Sequence, residues 1–408
     1  MSGAIIRDEI VFEDSYIPPS LPVRSGDADE ITWRVVNKLI KSGSIGTIMM
    51  IYGQIGRVGI GKTTIAKYSA LKASEKLRDK GVRLNLAFIN AYGTPSLIEI
   101  LSNIVYALRV NIPVRGASFS ETMRSIVNYL MVKDEYLLVV LDEFQGLLLS
   151  NKISPEDLYR MLRVYEEIPA GDGVNRIGYI LVASDVRALA YIREKIPQVE
   201  SQIDFMLHLT AYNSYELYQI LEQRAELGLS TGSWSPYVLE LIADAYGADR
   251  GSDGSARRAI KALHRAAESA ERRGARRIGE EDVRRALAQD AYSHIDIALL
   301  REFDTHSLMV LYAVARLTGV RGGWIPTAAV RREYEQVAEL FGERPRRHTQ
   351  FYEYLNALAR WGLIEKGAER GRHGSVRLQP EMPVNILLEV LDHILLDKLG
   401  QRGGRVWA

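Results

Sequence analysis

TIMMIYGQIGRVGIGKTTIAKY, residues 47–68, passes from a short apolar run through a glycine-rich turn into a segment whose apolar positions recur at helical spacing. The order predicts strand, loop, helix. From Gly56 to Gly61, Lys62 and Thr63 the spacing is that of a phosphate-binding loop, and each residue type has a physical task there. Gly56, Gly59 and Gly61 can take positive φ angles, so that backbone N–H groups close around phosphate oxygens. The helix opening at Lys62 adds the positive end of its dipole, the Lys62 ammonium meets the β and γ phosphates, and the Thr63 hydroxyl is placed for Mg²⁺. Arg57, Val58, Ile60 and Thr64 complete the expected cradle. The competing reading is a glycine-rich turn without ligand; the strand before it and the helix after it weigh against that.

The 408 residues fit two or three domains of about 100–200 residues each, and 47% hydrophobic content suffices for real cores. No apolar run approaches the roughly 20 residues that span a bilayer. The amino terminus, MSGAIIRDEIVFED, lacks the basic start and long apolar core of a signal peptide. An intracellular, cytoplasmic protein without a membrane partner is expected. The absence of cysteine excludes disulfides, thiolate zinc sites and cysteine nucleophiles. It also fits an origin where damage to thiols is avoided. With 52 basic against 51 acidic residues the net charge is +1, so nothing global announces nucleic acid. Locally, Arg257–Arg285 and Arg344–Arg377 are crowded with basic side chains, which are either solvated helix faces or nucleic-acid contacts.

Before the loop, the prolines of YIPPSLPVRSGD keep Tyr16–Val23 out of helix. This segment is expected to lie as a strap, either walling a nucleotide base or serving as a plain arm. After the loop helix, VRLNLAFINAYG predicts a second strand ending near Asn90. Two helices follow, TPSLIEILSNIVYALRV and FSETMRSIVNYLMVK, joined by a loop through Pro113 and Gly116. YLLVVLDEFQ then reads as a buried strand, Leu137 to Leu141, that delivers Asp142 and Glu143 at its carboxyl end, where open α/β sheets bind ligands. Asp142 is assigned to Mg²⁺ through water, and Glu143 to orienting and deprotonating the attacking water. Its position about 80 residues after a phosphate loop strengthens a signal that is weak alone.

Residues 154–168 predict an amphipathic helix with Pro155 in its first turn. RIGYILVASDV predicts a further buried strand ending in Ser184 and Asp185, where a polar side chain either senses the γ phosphate or caps the next helix. FMLHLTAY reads as the last strand of a mostly parallel sheet with helices on both faces. From Ser214 to Leu287 the pattern is wholly helical, a separate lid. Its third helix begins at GSDGSARRA and places Arg257 in the first turn, where the helix dipole disfavours a cation and an anionic partner would resolve the cost. From about Asp304, three helices run into LIEKGAERGRHGSVRLQP, a hairpin with a basic tip. Helix, helix, helix, wing is the order of a winged helix. Arg346, Arg347, Thr349 and Gln350 cluster at the start of its third helix, facing base edges if it enters a major groove, while Phe351, Leu355 and Leu358 face the core. Winged helices also dock proteins, so both partners stay open here.

In this order the motifs resemble the archaeal origin recognition complex and cell division control initiators, AAA+ ATPases with a carboxyl-terminal winged helix. YIPPSLPVR resembles that family's box near the nucleotide base, GRVGIGKTT its Walker A, VVLDEF its Walker B, GSARRA its sensor 2, and FYEYLNALARWGLIE with RGRHGSVRL its winged helix and wing. The resemblance implies an α/β AAA+ domain at 1–212 with a parallel sheet between helices, an all-α lid at 213–295 and a winged-helix domain at 296–408. It implies ATP or ADP with Mg²⁺ bound by the loop residues together with Tyr16, Ile17, Leu21, Pro22, Arg24, Tyr212, Tyr215 and the sensor 2 residue Arg257. Lys62, Asp142, Glu143 and Arg257 would act in hydrolysis, with Thr63 and Asp142 toward the metal. Double-stranded origin DNA would meet Arg346, Arg347, Thr349 and Gln350, the wing residues Arg370, Arg372 and His373, and an initiator-specific element around Pro113, Arg115 and Gly116.

Three departures bear on activity. Gln54 and Ile55 lengthen the approach to Gly56. Sensor 1, usually asparagine, falls on Asp185, whose carboxylate would repel a γ phosphate. The expected arginine finger reads Gln198, leaving Arg193 or Lys195 as substitutes. The expectation is a slow ATPase acting as a nucleotide switch on origin DNA, with the replicative helicase and paralogous initiators as further partners. The alternative is an ATP-dependent helicase loader or protein-remodelling ATPase whose winged helix docks a protein.

Overall fold

The computed structural model describes residues 4–54, 57–92, 96–149, 153–163, 174–184, 187–293, 297–321, 323–367, 374–379, 382 and 384–403. The chain divides into two compact units, Met1–Val283 and Arg284–Ala408. Among the described residues no helix is long and apolar enough to cross a membrane.

In the first unit α1 (Ser25–Ser42) precedes β1 (Ile48–Gly53), and α2 (Lys62–Arg78) follows the glycine loop. Next come β2 (Arg83–Asn90), α3 (Leu97–Leu108), α4 (Phe119–Lys133) and β3 (Glu135–Asp142). The short helix α5 (Gln145–Leu149) leads to α6 (Pro155–Leu162). Then β4 (Ile177–Ala183), α7 (Arg187–Lys195), α8 (Pro197–Glu200) and β5 (Ile203–Leu209) complete the α/β part. All strands are parallel, in the order β2-β3-β4-β1-β5. Both faces of the inner strands are buried, as their unbroken apolar runs require. Met50, Val139, Leu141, Tyr179 and Leu181 face α3, α4, α6 and α7 in one core. Residues of the opposite parity, such as Met49, Leu138, Val140 and Ile180, are equally buried. On the sheet, α2 packs across β1 to β4, with α1 against it and reaching β5 through Arg34 and Lys38. The expected strands at 47–53, near Asn90, at 137–141, at 176–184 and before Tyr212 are all present, while part of the stretch expected as helix at 154–168 lies outside the described residues.

The lid consists of α9 (Ser214–Gly228), α10 (Pro236–Tyr246), α11 (Ala256–Arg272) and α12 (Glu280–Ser293). The amino-terminal arm lies along α11. The Ile6 N–H donates to Glu271 Oε1 at 2.9 Å, and Phe12 stacks on His264 with ring centroids 5.0 Å apart. Asp14 Oδ2 lies 3.2 Å from Lys261 Nζ. Ile5, Val11 and Phe12 are buried there.

One buried carboxylate ties the lid together. Asp282 is fully buried and accepts from Arg273 Nη2 at 2.6 Å and Nε at 2.9 Å, from the Gly279 N–H at 2.9 Å and from Ser269 Oγ at 3.0 Å. Burial alone would raise its pKa, but the bonds from Arg273, Gly279 and Ser269 outweigh it and hold the carboxyl below its ordinary value.

In the second unit α13 (Ile297–Glu302) and α14 (Thr305–Arg321) precede β6 (Ile325–Pro326) and α15 (Thr327–Leu340). Then follow α16 (His348–Arg360), the wing strands β7 (Ile364–Lys366) and β8 (Ser375–Leu378), and α17 (Val384–Gly403). The small sheet is antiparallel in the order β6-β8-β7. Phe351, Leu355 and Leu358 are fully buried, as their spacing on α16 predicts. The chain just before α16 is clamped through its backbone. The Arg346 N–H donates to Tyr334 Oη at 3.0 Å, and the Arg346 carbonyl accepts from Arg331 Nη2 at 2.7 Å. Tyr334 Oη also lies 2.9 Å from His306 Nδ1 inside the core.

Two outcomes are expected. Because the Asp282 pKa is depressed on folding, its contribution is fully present above the ordinary value of 3.8 and is lost as pH falls through the lower folded value. Asp282→Asn should cost about 1–3 kcal/mol at neutral pH and lose less than wild type on acidification, measured by urea unfolding at pH 7 and below pH 4. Tyr334→Phe leaves the Arg346 N–H without its acceptor and should lower the urea midpoint by about 1–2 kcal/mol of stability at unchanged slope.

Candidate nucleotide site

Parallel strands deliver their carboxyl ends to one rim, and β1, β3 and β4 place the glycine loop, Asp142 with Glu143, and Ser184 along it. Gly59 (φ +74°) and Gly61 (φ +88°) hold left-handed conformations that suit glycine. Space demands glycine as well. A Cβ on Gly59 would lie 2.9 Å from Arg257 Cβ and strike the Ser255 hydroxyl, and one on Gly61 would strike the Tyr212 hydroxyl. The loop is therefore pressed against the lid, and the Gly59 carbonyl accepts the Ala256 N–H at 3.0 Å. Arg57 adds a second tie, donating from Nη1 to the Ser252 carbonyl at 2.9 Å. Gln54, part of the lengthened approach, donates its N–H to the Leu209 carbonyl at 3.2 Å. Ile55 and Gly56 lie outside the described residues.

The cleft between loop, strap and lid is lined by Val58 to Thr64, Glu143, Tyr212 and Arg257, and by Tyr16, Leu21, Pro22 and Arg24 of the strap. Thr63 Oγ1 donates to Asp142 Oδ2 at 2.9 Å, joining the two expected metal-side residues across the rim. Asp142 Oδ1 accepts the Glu143 N–H at 3.0 Å. Glu143 has φ +52°, a strained conformation for a residue with a Cβ. A hydroxyl and a carboxylate are the hard oxygen donors that Mg²⁺ takes, so the pair fits that ion. Among the described residues no group of three or more His, Asp or Glu could hold a metal by itself. A magnesium ion here would draw its other ligands from phosphate and water.

Several neighbours have no local signal in the sequence. Asp14 Oδ1 lies 3.4 Å from Arg257 Nε, supplying the anion that a cation in the first turn of α11 lacks. Arg224, from α9, is 6% exposed, donates to the Val11 carbonyl at 2.9 Å and sits over the Tyr16 ring at 4.7 Å. Burial lowers its pKa. Arg24 sits over the Tyr212 ring at 4.6 Å and donates to the Thr210 carbonyl at 2.7 Å, while burial pushes the Tyr212 phenol up. Gln145 donates from Nε2 to Glu143 Oε2, and its Oε1 accepts the Ser184 N–H at 3.0 Å.

Some expected residues are not brought into the cleft. Tyr215 is 69% exposed, because Leu217 and Leu221 form the buried stripe of α9 and position 215 falls on its opposite side. Ile17 and Arg57 do not line the cleft either. Of the finger substitutes, Arg193 is paired with Glu200 at 2.6 Å and Lys195 with Glu194 at 2.8 Å. Asp185 lies outside the described residues. Arg346, Arg347, Thr349 and Gln350 are all exposed at the start of α16, and Pro113, Arg115 and Gly116 are exposed between α3 and α4. The wing residues Arg370, Arg372 and His373 lie outside the described residues.

Comparison with known proteins adds what geometry leaves open. Residues 218–288 match the Cdc6 AAA+ ATPase-type lid domain family, 298–383 the CDC6 C-terminal winged helix domain family, and 28–168 the bacterial TniB protein family. The chain is 47% identical to ORC1-type DNA replication protein 2 of Aeropyrum pernix, over 97% of this chain and 98% of the relative. Its identity to ORC1-type DNA replication protein 2 of Sulfolobus acidocaldarius is 31%, over 96% and 93% of the two chains. The solved Aeropyrum pernix ORC2 protein, in its ADPNP-ADP complexes, superposes with a TM-score of 0.76 at 46% identity, over 97% of this chain and 100% of that one. The Aeropyrum pernix ORC1 protein in complex with DNA shares the fold at 23% identity and a TM-score of 0.62, over 98% of each chain. By its relatives at 47% and 31% identity across almost its whole length, the chain belongs to the Cdc6/ORC family of ORC1-type DNA replication proteins, AAA+ modules with a helical lid and a winged helix.

Proposed function

We propose that this chain is a replication initiator that binds ATP or ADP with Mg²⁺ in the cleft, hydrolyses ATP slowly, and uses nucleotide state to set how it grips and deforms double-stranded origin DNA. The observation that carries the reading is the Thr63–Asp142 contact at the mouth of a glycine loop that also touches the lid beside Arg257. The ADPNP and ADP complexes of the Aeropyrum ORC2 protein support the nucleotide, and the DNA complex of the Aeropyrum ORC1 protein supports the duplex. Paralogous initiators and the replicative helicase are the proposed protein partners.

Each residue has a distinct task in this reading. The loop N–H groups and Lys62 hold the phosphates, and the Lys62 charge meets the negative charge on the leaving ADP oxygen. Magnesium, when bound beside Thr63 and Asp142, supplies charge neutralisation for the phosphates. Glu143 orients a water and takes its proton as the water oxygen bonds to the γ phosphorus. The bond from that phosphorus to the bridging oxygen breaks, giving ADP and phosphate. Arg257, placed on the lid, links the phosphates to lid position. Its pairing with Asp14 joins groups 48% and 47% exposed and is worth less than about 1 kcal/mol, so a multiply charged phosphate displaces it readily. Slow turnover is expected from the sequence, with Gln198 where an arginine finger would stand and a carboxylate, Asp185, at the sensor 1 position.

On the DNA side, the backbone clamp on Arg346 fixes the approach to α16 while leaving the Arg346 side chain exposed for a groove. The exposed loop through Pro113, Arg115 and Gly116 gives a second contact point, so that linked binding raises affinity. Wing residues Arg370, Arg372 and His373 would meet phosphate or the minor groove.

Two experiments check the reading. Lys62→Ala should abolish binding of fluorescent ADP, whereas Glu143→Gln should keep affinity within about threefold and lower turnover by about 10²-fold or more. A wild-type protein that binds no nucleotide would end it. Arg346→Ala and Arg347→Ala should each weaken origin duplex binding and reduce the salt slope by about 1. If origin duplex binds no tighter than random duplex and deletion of 304–408 changes nothing, the initiator reading fails, and the winged helix becomes a protein-docking module.

A further inference from the structure

The turn after β3 is held to β4 at two points. Through the backbone, the Phe144 N–H donates to the Val182 carbonyl at 2.8 Å, and the Phe144 ring is fully buried. Through a side chain, the Gln145 carboxamide spans the gap between the two strand ends. Its Nε2 donates to Glu143 Oε2 and its Oε1 accepts the Ser184 N–H at 3.0 Å. These partners leave the amide a single orientation, because a carboxylate cannot donate and a backbone N–H cannot accept. Glu143 itself is held at φ +52° and lines the cleft. A long acidic side chain on such a turn has several rotamers, and only an external bond selects one. Gln145 touches neither Lys62 nor Thr63 through any bond described for it, and it does not line the cleft.

We infer that Gln145 is a positioning residue that fixes the Glu143 carboxylate against the tip of β4, setting the base relative to the strand end where the γ phosphate would be sensed. The inference rests on the ATPase reading of Glu143. One carboxylate oxygen is bound to the amide and the other is left to meet water, so the amide governs geometry of attack without contributing to nucleotide affinity. The same amide makes the base and the tip of β4 move together.

The test uses the full-length protein. Gln145→Ala should lower turnover at saturating ATP by at least about tenfold, with KM and the affinity for fluorescent ADP within about twofold of wild type. Hydrogen exchange at the Ser184 amide should quicken in the nucleotide-free protein, a readout independent of activity. Gln145→Glu keeps an acceptor for Ser184 but loses the donor to Glu143, so turnover should fall while Ser184 stays protected; this variant also decides the matter if the alanine variant does not fold. Glu143→Gln is the control on the underlying reading: undiminished turnover in it would sink that reading. If Glu143→Gln is inactive but both Gln145 variants turn over at or above the wild-type rate, the positioning role is overturned. Loss of ADP binding together with turnover in Gln145→Ala would also overturn it, by making Gln145 a structural support of the cleft.

Discussion

The contact on which the rest of this fold turns is backbone to backbone: the Gly59 carbonyl accepting the Ala256 N–H at 3.0 Å. It brings the glycine loop of the α/β part and the first turn of lid helix α11 to hydrogen-bonding distance, a separation that a side chain at position 59 would prevent. The donor belongs to the turn that also carries Arg257, so lid and loop meet directly at this point. Coupling of this kind needs no long pathway. Two rigid elements share one bond, and whatever orders one of them biases the other.

On the lid side of that bond Asp282, Arg224 and Arg257 each have a partner within the chain. Asp282 is answered by four donor groups on three residues, Arg224 by a carbonyl and a ring, and Arg257 by Asp14. The exposed pair is the weak one and the enclosed groups are the strong ones, which separates parts that hold the lid from parts that can change partner.

Much of this was legible in the sequence. The unbroken apolar runs Leu137–Leu141 and Ile177–Val182 gave buried parallel strands, and the glycine spacing gave the loop, because both are local rules of period and φ. The winged helix was legible through Phe351, Leu355 and Leu358, one face of one helix. The last helix, α17, was not among the expected elements: the order helix, helix, helix, wing stops before it, although its buried Leu387, Val390, Leu391, Ile394 and Leu395 recur at helical spacing. The partners of the site were not legible. Asp14 meets Arg257, and Arg224 meets Val11, across more than half the chain, and no local pattern encodes a contact of that span. Tyr215 was misplaced for a related reason: proximity to Tyr212 along the chain does not survive the turn into α9, which sends position 215 to the solvent side. Gln145 stands two residues from Glu143, yet its meaning depends on Ser184, a strand away.

The arm along α11 bears on the order in which the protein is made. Residues 4–14 leave the ribosome well before the lid, and Ile6 finds its acceptor only at Glu271, a separation of 265 residues. Until then Ile5, Val11 and Phe12 have no lid to cover them, and the strap has nothing to close against. The sheet can assemble while synthesis continues, since its strands end by Leu209, but the cleft waits for Ala256, Arg257 and Ile260 of α11. The cleft of a newly made chain is therefore complete only after more than half of its length has emerged, and until that point Ile5, Val11 and Phe12 are apolar groups without their cover.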